Sequence, residues 1–202
     1  MKFVVSRYNH DMEWIKEYAK PDEIVLYDRS EVPLEGAIIV PNIGSDWFDK
    51  FSFICDNYDN LPDVAVYTKA NLFKYISKEE FDELKDRKTF TPLLTQKHAT
   101  YGSQGVDICF YQDGLYFEIN NFWYLNEYPV RDETAIKELS QMLGISGLSY
   151  LPFAPGSSYI VPKANILKYN KSFYEKLRWY LSWTRYPGEA QIIERGIFTA
   201  WS

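Results

Sequence analysis

Polar residues suited to a phosphorylated ligand follow short apolar runs at four places in the chain. Ser6, Arg7 and Tyr8 follow Phe3-Val4-Val5, and Asp28 and Arg29 follow Ile24-Val25-Leu26-Tyr27. Asn42 and Gly44 come after Ala37-Ile38-Ile39-Val40, and Thr68 to Asn71 come after Val64-Ala65-Val66-Tyr67. If the runs are parallel strands, their ends meet on one rim of a sheet, where ligands of open α/β sheets bind. A nucleotide fits such a rim: an aromatic stacks on a base, an acid or amide holds ribose hydroxyls, and Arg or Lys takes a diphosphate. Any one of these residues alone would read as a solvated turn residue. The four ends together carry the reading.

Other chemistries find less support. There is no G-x-G-x-x-G or Walker A sequence, which argues against a dehydrogenase or a P-loop kinase. The two histidines, His10 and His98, lie far apart, and Cys55 and Cys109 form no C-x-x-C pair, so neither a structural zinc site nor a disulfide framework is indicated. A G-x-S-x-G elbow is also missing. With 22 Lys and Arg against 28 Asp and Glu, the formal charge of −6 argues against nucleic acid as a partner.

A chain of 202 residues suits one α/β domain. Met12, Trp14, Ile15 and Tyr18 recur at helical spacing before Pro21. Ser45 is placed to cap a helix whose stripe is Trp47, Phe51, Ile54 and Tyr58. Strands alternating with helices over the first seventy or so residues predict parallel β-α-β units. Further on, 78–85 reads as helix, Val106 to Phe110 and Leu115 to Ile119 flank the hairpin turn Gln112-Asp113-Gly114, and 131–143 reads as an amphipathic helix. Gly156-Ser157-Ser158 turns the chain into the strand Tyr159-Ile160-Val161, and helices are expected over 171–183 and 189–200. No stretch approaches a signal-peptide core or a membrane span, so the chain is expected to be soluble and cytoplasmic.

The aromatic content is high, with 17 Tyr, 13 Phe and 6 Trp making 18% of the chain. Some of those rings are expected to line a ligand surface.

Several segments in order carry a resemblance. Val4-Val5-Ser6-Arg7-Tyr8, Pro41-Asn42-Ile43-Gly44-Ser45 and the run from Asp56 to Tyr67, which contains Tyr58-Asp59-Asn60-Leu61-Pro62-Asp63, resemble a glycosyltransferase-like family of GT-A type. Gly156 to Val161, Phe173-Tyr174 and the closing Glu194-Arg195 helix match the same family in kind. The chain is also similar to the compact glycosyltransferase domains with which large algal DNA viruses decorate capsid glycans. The resemblance implies a single GT-A-like α/β domain with a central, mostly parallel, mixed sheet. Residues 1–75 would hold the nucleotide sugar and residues 106–202 the acceptor.

The implied activity is transfer of a hexose from a nucleotide sugar, UDP-glucose or a related UDP-hexose, to a glycan or glycoprotein. Ser6, Arg7, Tyr8, Asp28, Arg29, Asn42, Gly44, Thr68, Lys69 and Asn71 would form the donor site. Ser157, Ser158, Trp179, Trp183 and Arg195 would form the acceptor site, since sugar rings stack on aromatic faces. Glu194, bordering the apolar stripe of the last helix, is the candidate base; its alternative is a surface partner for Arg195 or Lys176. The family implies Mn²⁺ or Mg²⁺ held by an Asp-x-Asp after the fourth strand, yet Thr68-Lys69-Ala70-Asn71 stands there. Either Asn71 and a distant acid such as Asp113 replace that motif, or Lys69 neutralises the diphosphate without metal. The loss of the motif also leaves open a non-catalytic carbohydrate-binding or assembly module.

Overall fold

The computed structural model describes residues 1–95, 101–103, 106–112 and 115–202. Chain order runs β1 (Lys2–Arg7), β2 (Ile24–Asp28), β3 (Ile38–Ile39), α1 (Ser45–Asp56), β4 (Val64–Lys69), α2 (Lys78–Leu84) and β5 (Thr91–Pro92). It continues through β6 (Tyr101–Ser103), β7 (Val106–Gln112), β8 (Leu115–Ile119), α3 (Glu133–Met142), β9 (Tyr150–Phe153), β10 (Tyr159–Pro162), α4 (Lys163–Ile166), α5 (Lys171–Leu181) and α6 (Gly188–Trp201).

Strand residues alternate between two faces, as the two-residue period of a pleated strand requires. Val4, Tyr27, Ala65, Tyr67, Tyr159 and Val161 enter one core with α1, α5 and α6, whereas Phe3, Val5, Val64, Val66 and Ile160 enter a second. The second core is closed by Met12, Ile15, Leu72, Ile76 and Phe81, from short turns and α2. The result is an α/β fold around a mixed six-stranded sheet in the order β3-β2-β1-β4-β10-β5. β1, β2, β3 and β4 run parallel, and β10 runs antiparallel to β4. β6 to β9 form a separate antiparallel sheet, held against α6 by the buried ion pair of Arg195 with Glu118 on β8.

Two expected elements shrink. The helix predicted from Met12 to Tyr18 is a five-residue 3₁₀ turn, Glu13–Glu17, after which the chain re-enters the sheet at Ile24. The third strand keeps only Ile38 and Ile39, both exposed at the sheet edge.

The aromatic surplus divides between core and surface. Trp47, Trp201, Tyr67, Tyr159, Tyr174 and Phe51 are fully buried, and such rings favour folding by about 1.5–3 kcal/mol each. Trp123, Trp179, Trp183 and Tyr186 remain exposed.

Candidate functional site

The chain leaves β1 toward β2 and β3 on one side and later places β4 on the other. The connection therefore reverses between β1 and β4, and a crevice opens beyond their carboxyl ends. Ser6 and Lys69 stand opposite each other at that edge. A cavity of about 110 Å³ lies there, lined by Ser6, Arg7, Tyr8, His10, Arg29, Asp46, Lys69 and Asn71. Six of these eight are among the residues expected from sequence to hold the donor.

Most of the charges in this region are paired. Arg7 Nη1 donates to Asp28 Oδ2 at 2.6 Å and to Ser30 Oγ at 2.8 Å, while its Nε donates to the His10 carbonyl at 2.9 Å. Asp28 also accepts the amides of Ser30 and Leu34, at 2.9 and 3.0 Å. Burial opposes its charge, but the Ser30 hydroxyl, which donates to Oδ1 at 2.6 Å, together with these amide and Arg7 bonds outweighs burial and holds its carboxyl below the usual range. Arg29 pairs with the buried Asp49 and donates to the Ile43 carbonyl at 3.0 Å, tying the β2 end to the entrance of α1. Burial dominates at Asp49 and pushes its carboxyl up to about 6 against the opposing pull of Arg29.

The third pair is Asp46 with Lys50, one turn apart on α1 and both buried. Ser157 Oγ donates to Asp46 and accepts from Lys50 Nζ at 3.1 Å. Burial disfavours the Asp46 charge, yet Lys50 and Lys69 with the bonds from Lys50 and Ser157 hold its carboxyl well below the usual range. Ser157 sits at φ 60° in the tight turn that begins with Gly156. Glu194 Oε1 accepts the Gly156 amide at 3.0 Å, and its charge acts on both Lys50 and Lys69. Lys69 forms no ion pair within 4.0 Å among the described residues. Its ammonium lies over the Tyr75 ring, 4.8 Å from the centre.

The remaining predicted residues are placed as follows. Gly44 caps α1 in a left-handed conformation, φ 65°, and donates its amide to the Thr184 carbonyl at 2.8 Å. Ser45 follows with φ 58° and is not the cap. Asn42 is half-buried in the loop before it. Thr68 and Ser158 are buried, with their hydroxyl oxygens 3.2 Å apart behind the cavity wall. Arg195 points inward, pairing with Glu118 and lying 3.9 Å from the Tyr124 ring centre, so its guanidinium is turned away from solvent. Trp179 is 50% exposed, with the Arg131 guanidinium 4.1 Å from its ring centre, and Trp183 is also exposed. Asp113 and His98 lie outside the described residues.

Sequence reasoning missed Asp46, Lys50 and Arg185. The i,i+4 spacing of Asp46 and Lys50 is a legible helical pair, and its position beside the Trp47, Phe51, Ile54 stripe is the signal that it is buried. Arg185 carries no such signal; only the fold sets its guanidinium 4.8 Å from both the Tyr8 and Tyr186 ring centres.

The donors that the described residues place at the cavity do not suit a divalent cation, and Asp113, the other ligand expected from sequence, lies outside them. Among the described residues no three His, Cys, Asp or Glu side chains gather in one place. Asp46, the one carboxylate lining the cavity among the described residues, has Lys50, Ser157 and Ser45 on its oxygens. Asn71 adds a single neutral amide. Hard cations take several oxygens, preferably anionic ones, whereas this wall presents ammonium and guanidinium groups. A larger groove of about 1000 Å³ lies elsewhere, beside Met12, Ile15, Ile24, Leu26 and Leu34. It runs beside β2 to Leu34, whose amide bonds Asp28, and shares no lining residue with the polar cavity.

No family model, no curated protein and no solved structure matches the chain. The class is therefore defined by fold and site: an α/β domain with a mixed sheet and a charged crevice at its switch point. Among the described residues no helix is long and apolar enough to cross a membrane.

Proposed function

We propose that the crevice binds the diphosphate of a nucleotide sugar and that the chain is a glycosyltransferase. The observation that carries the reading is Lys69, a cation in a cavity at the topological switch point with no carboxylate within 4.0 Å among the described residues. A UDP-hexose as donor and a glycan or glycoprotein as acceptor follow from the resemblance. In the reaction an acceptor hydroxyl oxygen bonds to the anomeric carbon as the bond from that carbon to the diphosphate oxygen breaks, its electron pair leaving with the diphosphate. The hydroxyl proton passes to a carboxylate base, for which Glu194 is the candidate. Fixed positive charge facing the leaving group stabilises the transition state, and loss of one such donor typically costs about 3 kcal/mol. The exposed rings of Trp179, Trp183 and Tyr186 offer an acceptor surface, with Tyr186 linked through Arg185 to Tyr8 at the cavity.

A carbohydrate-binding or assembly module without catalysis is the second reading, favoured by the engagement of one Glu194 oxygen with the Gly156 amide. Thermal-shift titration with UDP, GDP and CMP, followed by assay of sugar release from UDP-hexoses, tests both. Stabilisation by one nucleotide with sugar release supports the transferase; stabilisation without release supports the module. No shift with any nucleotide overturns the transferase.

A further inference from the structure

Cations around the crevice fall into two sets. Arg7, Arg29 and Lys50 each lie against a carboxylate: Asp28, Asp49 and Asp46 in turn. Lys69 and Arg185 have no carboxylate within 4.0 Å among the described residues and rest on aromatic faces instead. A ring face attracts a cation through its quadrupole but has no net charge, so it steadies the group without neutralising it. Neither ring neutralises its cation, and the carboxylates of Asp46 and Glu194 act on Lys69 only from beyond 4.0 Å.

Tyr8 joins the two. It lines the cavity beside Lys69 and carries Arg185 against its ring. The backbone fixes that arrangement, because the amides of Gly44 and Ser45 at the α1 entrance donate to the carbonyls of Thr184 and Arg185, at 2.8 and 3.1 Å. Arg185 is consequently held at the α1 entrance by its main chain, while its exposed side chain lies outside the cavity lining and meets it through Tyr8.

We propose that Lys69 and Arg185 form a two-point clamp on the adjacent phosphoryl groups of a diphosphate, supplying the positive charge for which the nearby donor set holds no divalent cation. The planar guanidinium suits bidentate contact with one phosphoryl group, and the ammonium acts as a point charge on the other. This deepens the nucleotide-sugar reading and rests on it for the identity of the ligand. The clamp itself recognises only the diphosphate.

Isothermal titration with inorganic pyrophosphate and with UDP, each in EDTA and in Mn²⁺, tests the clamp on the wild-type chain and on Lys69→Met and Arg185→Ala. The wild type is expected to bind both probes in EDTA, with Mn²⁺ changing affinity by less than about threefold. Each variant is expected to weaken both by about tenfold or more, as for loss of a charge-assisted hydrogen bond. Binding that needs Mn²⁺ overturns the clamp and leaves the nucleotide reading standing. Either variant retaining wild-type affinity also overturns it, and Arg185, being exposed, makes that arm independent of folding. Pyrophosphate binding without UDP binding keeps the clamp and removes the nucleotide. Binding of neither probe removes both.

Discussion

Lys50 reaches back one turn of α1 to Asp46, and Ser157, 111 residues further along the chain from Asp46, bridges the two. The pair stands between the cavity, which Asp46 lines, and the core, where the Lys50 ammonium lies 4.5 Å from the Trp47 ring centre. Two charges removed from water stay favourable only while each answers the other. The same contacts lock α1 to the turn before β10, so the crevice wall and the core share one support.

Breaking this pair from one side is expected to cost far more than removing it. Lys50→Met leaves Asp46 buried without its cation, a change that typically costs about 3–5 kcal/mol. The double variant Lys50→Met/Asp46→Leu should recover much of that loss. Urea unfolding of the wild type and both variants measures it; a single-variant loss below about 1 kcal/mol contradicts the account.

Stability should respond to pH in two opposed ways. Asp28 and Asp46 are held below their usual 3.8, so the folded state binds fewer protons than the unfolded one. Their contribution is present above that value and is lost as the pH falls through their lowered folded values. Asp49 is raised from 3.8 to about 6, so between these values the folded state keeps a proton that the unfolded state releases. Its contribution therefore falls as the pH rises through that window, by an amount on the order of 3 kcal/mol at most. The stability difference between the wild type and Asp49→Asn should shrink from pH 4 to pH 7. A difference that stays constant would show that Asp49 titrates normally.

Gly156 has φ 92°, and a Cβ there would collide with the Tyr75 ring, the face on which Lys69 rests. Gly156→Ala should lower stability by more than about 1 kcal/mol through backbone strain and displacement of that ring. It should also weaken pyrophosphate binding although it changes no charge. Unaltered stability and affinity together would refute the link between this turn and Lys69.

Glu194→Gln retains an acceptor for the Gly156 amide and removes the proton acceptor, so it should leave UDP affinity within about twofold and abolish sugar transfer. Glu194→Ala should in addition destabilise the fold by about 1 kcal/mol, the typical net worth of a lost hydrogen bond. Full turnover by Glu194→Gln would remove this residue as the base. Retained turnover with loss of stability in the alanine variant would leave it a turn anchor only.

Much of the architecture is legible because it is local. The alternation of Phe3, Val4 and Val5 and the stripe Trp47, Phe51, Ile54 record burial directly, and both are found as expected. The α/β order of the first four strands follows from the same patterns. The insertion of β10 between β4 and β5 does not, because an antiparallel partner from residue 159 onward leaves no periodic mark near residue 64. Ser6, Arg7, Tyr8, Arg29, Lys69 and Asn71 were readable as one rim because parallel strands must end together.

The sequence by itself determined which residues lie at strand ends and which rings are apolar enough to be buried, since both depend on neighbours a few positions away. Only the tertiary structure decided which charges are answered. Arg7, Arg29 and Lys69 look alike along the chain, yet carboxylates lie in direct contact with the first two, while Lys69 rests on the face of Tyr75 with Asp46 and Glu194 acting on it from farther away. Arg185, which no local pattern marks, meets the Tyr8 ring for the same reason. Charge pairing depends on distances across the fold, and those exist only once distant segments have packed.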